Sequence, residues 1–293
     1  MTSGIDSSPE IISQDVSSSS ERQMSQAEIS DSRIPASSAV CLPNFTALHS
    51  LVLLADSALP LGSFAFSSGL ESYLAHRTNK SSSGSNGAAF HSFLRLSLST
   101  LASTALPYVF TAYRRPSRLE DLDNDIDAST PCTVARRASI AQGRALLSVW
   151  ERSFKPHYGE AKDEALRPAI DALKAFQYKL RNAVEDIPGL GINAHLAPIW
   201  GVVTRAMGLS LQDSAYMFLF SHARTVISAG VRASVLGPYQ AQHVLAMPEL
   251  QEIIRTLLEA TWNTEVEDAG QTIPAMDLWI GRHEKLYSRI FNS

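Results

Sequence analysis

From residue 45 onward, apolar residues recur at intervals of three and four, the spacing that lines one face of an α-helix. Leu48, Leu51, Val52, Leu54 and Ala55 predict a first helix that starts after Asn44 as N-cap and closes before Pro60. After a turn, Ser68-Gly69-Leu70-Glu71 has capping-box form, in which a hydroxyl and a carboxylate satisfy orphan amides at a helix start, and predicts a second helix to about His76. The Ser-, Gly- and Asn-rich stretch 80–87 reads as a loop, and Ala88 to Arg115 as one long helix with Pro107 inside it.

Glu120 to Asp127 is acidic and reads as a solvated loop; it lacks the Gly and terminal Glu of a calcium-binding loop. Thr133 to Phe154 returns to helical spacing, with Ala135, Ala138, Ala145, Leu146 and Val149 as its apolar stripe. Residues 155–190 read as an insertion holding one helical segment, Ala165 to Val184, which Pro188, Gly189 and Gly191 end. Leu196 to Met207 predicts a helix stopped by Gly208. Leu211 to about Val235 predicts a long one so rich in Tyr, Met, Phe and Leu that it belongs at the centre of a bundle. Tyr239 to Ala246 and Glu249 to Trp262 add shorter helices, and Met276 to Phe291 a final amphipathic segment. No stretch alternates as a strand does, so the expected fold is all-α: a single-domain bundle of about eight to ten helices over residues 45–293.

Residues 1–44 break the pattern: rich in Ser and poor in aromatics, they are expected to form a disordered tail. Leu96 to Tyr113 contains no charge, but its Ser and Thr residues and Pro107 point to a buried helix and not a membrane span. Composition narrows the functional classes. Twenty-five Lys and Arg against 29 Asp and Glu give a net charge of -4, the wrong sign for a nucleic-acid footprint. Two cysteines, Cys41 and Cys132, without CxxC spacing disfavour a disulfide framework. With no basic, apolar leader at the N-terminus, a cytoplasmic protein is expected.

Motifs for chemistry are missing from the sequence. It contains no G-x-x-x-x-G-K-[ST], G-x-S-x-G or H-E-x-x-H, and its eight His never fall at i, i+3 or i, i+4. A lone His195 before a helix is more often structural than a ligand. No enzyme activity, cofactor or metal site of this chain alone is expected.

Separated segments carry a resemblance. Ala58-Leu59-Pro60-Leu61-Gly62-Ser63-Phe64-Ala65-Phe66-Ser67-Ser68-Gly69-Leu70-Glu71 resembles the opening signature of the urease accessory protein UreF family, with Ala65 where Ser is usual. Gln142-Gly143-Arg144-Ala145-Leu146-Leu147 follows in the expected order. So does the stretch from His195 through Gly208-Leu209-Ser210 to Ser228-Ala229-Gly230-Val231-Arg232 and Leu236-Gly237, where Pro238 replaces a frequent Gln. The ending Arg282-His283-Glu284-Lys285-Leu286-Tyr287-Ser288-Arg289-Ile290-Phe291 is similar to the family's R-H-E-x-x-Y-S-R-[LI]-F.

The resemblance implies a helical, often dimeric chaperone of nickel insertion. It would bind UreD (also called UreH) and then the GTPase UreG on apo-urease, coupling GTP hydrolysis to nickel delivery, with nickel and GTP handled by partners. A direct GTPase activator supplying Arg232 or Arg282 in trans is the alternative. By the same resemblance Glu71 and Arg232 lie on the face that meets UreG, where a Glu71–Arg232 ion pair across the bundle would unite them. Against this stand two structural readings: Glu71 as a capping carboxylate and Arg232 as a snorkelling helix-end cation. The segment 271–293, with Arg282, His283, Tyr287, Arg289 and Phe291, is expected to anchor UreD. Tyr287, Arg289 and Phe291 would recur on one side of it, or pack on their own bundle. Phe64 and Phe66 are expected in the core or at a dimer contact, Gly62 and Gly69 where the backbone needs them, and Gly143 at a close approach.

Overall fold

The computed structural model describes residues 45–76, 83–160, 163–182 and 191–292. The expected tail, the Asn44 cap and the break at Pro188-Gly189 lie outside them. Among the described residues thirteen α-helices follow in order: α1 (Phe45–Ala55), α2 (Leu70–Ala75), α3 (Ser83–Thr104), α4 (Leu106–Arg114), α5 (Leu119–Ser129), α6 (Thr133–Val149), α7 (Lys155–Tyr158), α8 (Arg167–Asn182), α9 (Leu196–Ala206), α10 (Leu211–Arg232), α11 (Pro238–Ala246), α12 (Pro248–Thr261) and α13 (Pro274–Arg282). The count exceeds the expected range because α2 and α7, of six and four residues, are single turns, and because the long helix and the acidic loop resolve differently. No strand occurs among the described residues, and the fold is all-α.

The bundle is organised around α9. Its sequence is apolar on nearly every face, so only burial on all sides suits it, and α4, α6, α8 and α10 surround it. Two glycines set how closely those neighbours come. A Cβ on Gly201 would collide with the Val109 carbonyl on α4, and one on Gly143 with the Ala194 carbonyl just before α9. Gly143 thus has the close-packing role expected of it. The second central helix, α10, starts at a true cap: the Ser210 hydroxyl accepts from the Asp213 amide at 3.0 Å and donates to its carboxylate at 2.7 Å.

Several expectations change. The long helix divides at Ala105 into α3 and α4, because Pro107 fits only the first turn of a helix, where its missing N–H costs nothing. The start of α3 lies at Ser83, inside the expected loop. Glu120 to Asp127 is not a loop but most of α5: Leu119, Leu122 and Ile126 turn inward, and Asp123 is fully buried. The final segment is helical only to Arg282 and continues as a turn over His283–Lys285 and a non-helical strip to Asn292. Within 155–190, α8 buries Ile170, Leu173 and Phe176 and belongs to the core. No helix among the described residues is long and apolar enough to cross a membrane.

Candidate functional site

The two most specific sequence segments, at opposite ends of the folded chain, meet. The turn before α2 runs through the left-handed region at Ser68 (φ 53°) and Gly69 (φ 88°), a conformation cheap only for glycine. Gly69 serves a second purpose, since a Cβ there would lie 2.9 Å from Ile280 Cγ1 and 3.1 Å from its amide nitrogen. Absence of a side chain therefore lets α13 lie directly on α2. Trp279 closes this contact edge-on against Tyr73, with ring centroids 4.7 Å apart.

Glu71, in the first turn of α2, is where the C-terminal strip is fixed. Its Oε1 accepts the Ile290 amide at 2.7 Å; its Oε2 accepts His283 Nε2 at 3.0 Å and the Phe291 amide at 3.3 Å. The capping-box expectation is therefore corrected: the hydroxyl near α2's start is that of Ser67, 3.4 Å from the Glu71 amide, and the Glu71 carboxylate turns to the C-terminus. The His283 ring is wholly buried against the carboxylate. Phe291 inserts beside it, 4 % exposed, under the Arg232 guanidinium, whose Cζ is 4.4 Å from the ring centroid. Partial burial draws the Arg232 pKa below its usual value. One further bond, from the Asn292 amide to the Ala65 carbonyl at 2.7 Å, ties down the end. Position 65 acts here through its backbone, so this contact does not depend on which side chain stands there.

The expected ion pair is thus replaced by a different relationship. Glu71 and Arg232 do not pair with each other; they grip the same strip, one by its amides and one by its aromatic ring. Arg289 joins a second charge group, donating to Glu284 at 3.1 Å while Arg137 donates to the other oxygen at 2.5 Å. Those hydrogen bonds, Arg137's foremost, hold the Glu284 carboxyl below the usual range. Tyr287, Arg289 and Phe291 do not share one side: Phe291 points inward, while Tyr287 and Ile290 are fully or largely exposed. Arg282 is exposed at the end of α13. Of the two residues expected in the core or at a dimer contact, Phe66 is buried and Phe64 is 70 % exposed.

A second polar centre went unread in the sequence. The buried Asp123 carboxylate accepts three consecutive amides ahead of α9, those of Asn193 (2.6 Å), Ala194 (3.0 Å) and His195 (2.6 Å). It thereby holds Ala194 at φ 67°. The His195 ring bridges Ser139 Oγ (3.0 Å) and Asp127 Oδ1 (2.9 Å), and Arg136 chelates Asp127. Burial raises the Asp127 pKa, but the bonds from Arg136 and His195 outweigh it and leave the carboxyl below its usual value. Because Ser139 also accepts the Leu196 amide at 3.3 Å, this Ser–His–Asp string clamps the start of α9. The apolar spacing of Leu119, Leu122 and Ile126 is the signal by which the sequence could have placed these carboxylates on a helix. Among the described residues no three His, Cys, Asp or Glu side chains converge as metal ligands would.

The family model UreF matches residues 85–248. The "Uncharacterized urease accessory protein UreF-like" of Schizosaccharomyces pombe is 36% identical over 250 residues, 85% of this chain and 98% of that protein. "Urease accessory protein F" of Arabidopsis thaliana is 31% identical over 245 residues, covering 82% of this chain and 90% of the plant protein. "Urease accessory protein 6" of Cryptococcus neoformans is 29% identical over 320 residues, covering 86% and 98%.

Proposed function

The chain belongs to the UreF family, whose named relatives are urease accessory proteins, and on that premise we propose that it bridges UreD and UreG on apo-urease during nickel insertion. The observation that carries this reading is the union of the Glu71 turn, the end of α10 at Arg232 and the C-terminal strip in one surface. The three regions singled out by resemblance are far apart in sequence, yet they share hydrogen bonds and a ring contact. A partner seated there would meet exposed Tyr287, Ile290 and Leu278 on a rigidly held backbone, the combination of apolar anchors and fixed geometry that interface centres use.

In this reading UreD engages the outer face of α13 and the strip, and UreG the neighbouring face around Arg232. The chain itself performs no covalent chemistry, and nickel and GTP are held by the partners. A second copy of the chain would use the exposed Phe64, and the complex would act in the cytoplasm. Direct activation of the GTPase in trans would fall to Arg282, because Arg232 is committed to Phe291.

Copurification tests this. Tagged full-length protein should retain UreD, and then UreG, from a mixture of the purified partners, while a Tyr287→Ala/Ile290→Asp variant should lose UreD with its helical content intact. Undiminished retention by that variant would remove the strip from the interface.

A further inference from the structure

Between α3, α6, α9, α10 and α13 lies a partly open cavity of about 350 Å³. Most of its wall is apolar, formed by side chains such as Leu101, Ile126, Trp200, Phe218 and Met276. Polar side chains also line it, Ser139 and Gln142 on α6 among them, and one side of it is a polar seam. There α3 and α10 face each other through Ser97, Thr100, Ser221 and His222, a polar seam where two central helices would ordinarily interdigitate aliphatic side chains.

Ser97, almost fully buried, bonds through its hydroxyl to His222 Nε2 at 2.7 Å. The hydroxyls of Thr100 and Ser221 are buried without a partner among the described residues, and Thr100 is only 8 % exposed. His222 is half-buried and lines the cavity, and burial pushes its pKa down to about 4, so the ring is neutral at physiological pH. None of these groups takes part in the strip contacts or in the Asp123 and Asp127 clamps. Unpaired donors and acceptors beside an apolar void cost stability, and a core without them would pack better.

We propose that this cavity is a binding site for a small uncharged molecule, largely hydrocarbon with a hydroxyl or carbonyl at one end, the polar end lying against Thr100, Ser221 and the His222–Ser97 pair. The volume falls in the range of small-molecule sites, and a few convergent polar groups in an apolar wall are how such sites fix orientation. Charge selects the class. No Lys or Arg lines the cavity among the described residues, so a carboxylate or phosphate would be buried without a counter-charge. The charged group in the wall, Asp277, already accepts from Gln271 at 3.1 Å and belongs to α13.

Octan-1-ol and octanoate at pH 8 distinguish the alternatives, titrated into the full-length protein with tryptophan fluorescence, which Trp200 reports from the wall, and thermal unfolding as readouts. Octan-1-ol should give a saturable fluorescence change and raise the melting temperature, and octanoate should bind at least about tenfold more weakly. Ala138→Phe, which fills the cavity, should abolish the response with an unchanged circular dichroism spectrum. Thr100→Val, which keeps shape but removes a hydroxyl, should weaken alcohol binding about threefold or more. If Ala138→Phe fails to fold, Thr100→Val and the octanoate comparison decide. No saturable response to octan-1-ol, equal binding of octanoate, or wild-type affinity in the folded variants would overturn the proposal.

Discussion

The Glu71 carboxylate accepts the backbone amide of Phe291 at 3.3 Å, joining the first turn of the second helix to a residue near the end of the chain. The same carboxylate holds Ile290 and His283, so one side chain orders the strip. In a Glu71→Ala variant these donors lose their acceptor. Amide exchange at 290 and 291 should then quicken by about tenfold or more while exchange in α9 and α10 stays slow. Hydrogen exchange read by mass spectrometry of C-terminal peptides checks this.

Arg232 and Phe291 should be energetically coupled. Each truncation to Ala is destabilising, and Phe291→Ala more so, by about 3 kcal/mol, because a buried ring is lost. The double-mutant cycle by urea unfolding should leave an interaction of about 0.5–2 kcal/mol for the cation over the ring. Strict additivity would mean that the guanidinium only lies nearby.

Asp123 is expected to matter to stability more than any exposed carboxylate. Asp123→Asn keeps the volume but replaces an acceptor-only group with one that also carries donors, facing three amides. A loss of about 2–4 kcal/mol is expected, seen as a lower urea midpoint with unchanged slope.

A pH effect should trace to His222. Its folded pKa of about 4 lies below its ordinary 6.5, so as pH falls the unfolded chain takes up this proton first. The stability contributed by the neutral ring is fully present above 6.5 and is lost progressively toward 4, at most about 3 kcal/mol. Asp127, whose folded pKa is lowered from 3.8, contributes stability that is lost only at still lower pH, so the two windows separate. Comparing wild type with His222→Gln between pH 7 and 4.5 isolates the effect: the wild-type curve should fall more steeply, and parallel curves would contradict it.

Helices with sustained apolar residues at helical spacing were legible in the sequence. α1, α6, α9, α10 and α12 appear within a few residues of where the spacing places them, since burial of their apolar residues dominates their formation. What the spacing could not convey was tertiary pairing. Five acidic residues between 120 and 127 look solvated until the Asn193–His195 amides arrive to bury one of them. Likewise Glu71 has the local signature of a cap, yet its partners lie more than two hundred residues away, and no local pattern encodes a long-range acceptor. Gly69 and Gly143 were legible as special, although only the fold shows that each admits a particular backbone, Ile280 and Ala194.

Reconstitution of apo-urease tests the central account most directly. Purified UreD, UreG, nickel, bicarbonate and GTP are supplied with this chain, without it, or with a Glu71→Ala/Phe291→Ala variant that releases the strip. Urease activity should appear with the wild-type chain, stay near background without it, and drop severalfold with the variant at equal concentration. Equal activation in all three mixtures would contradict the account.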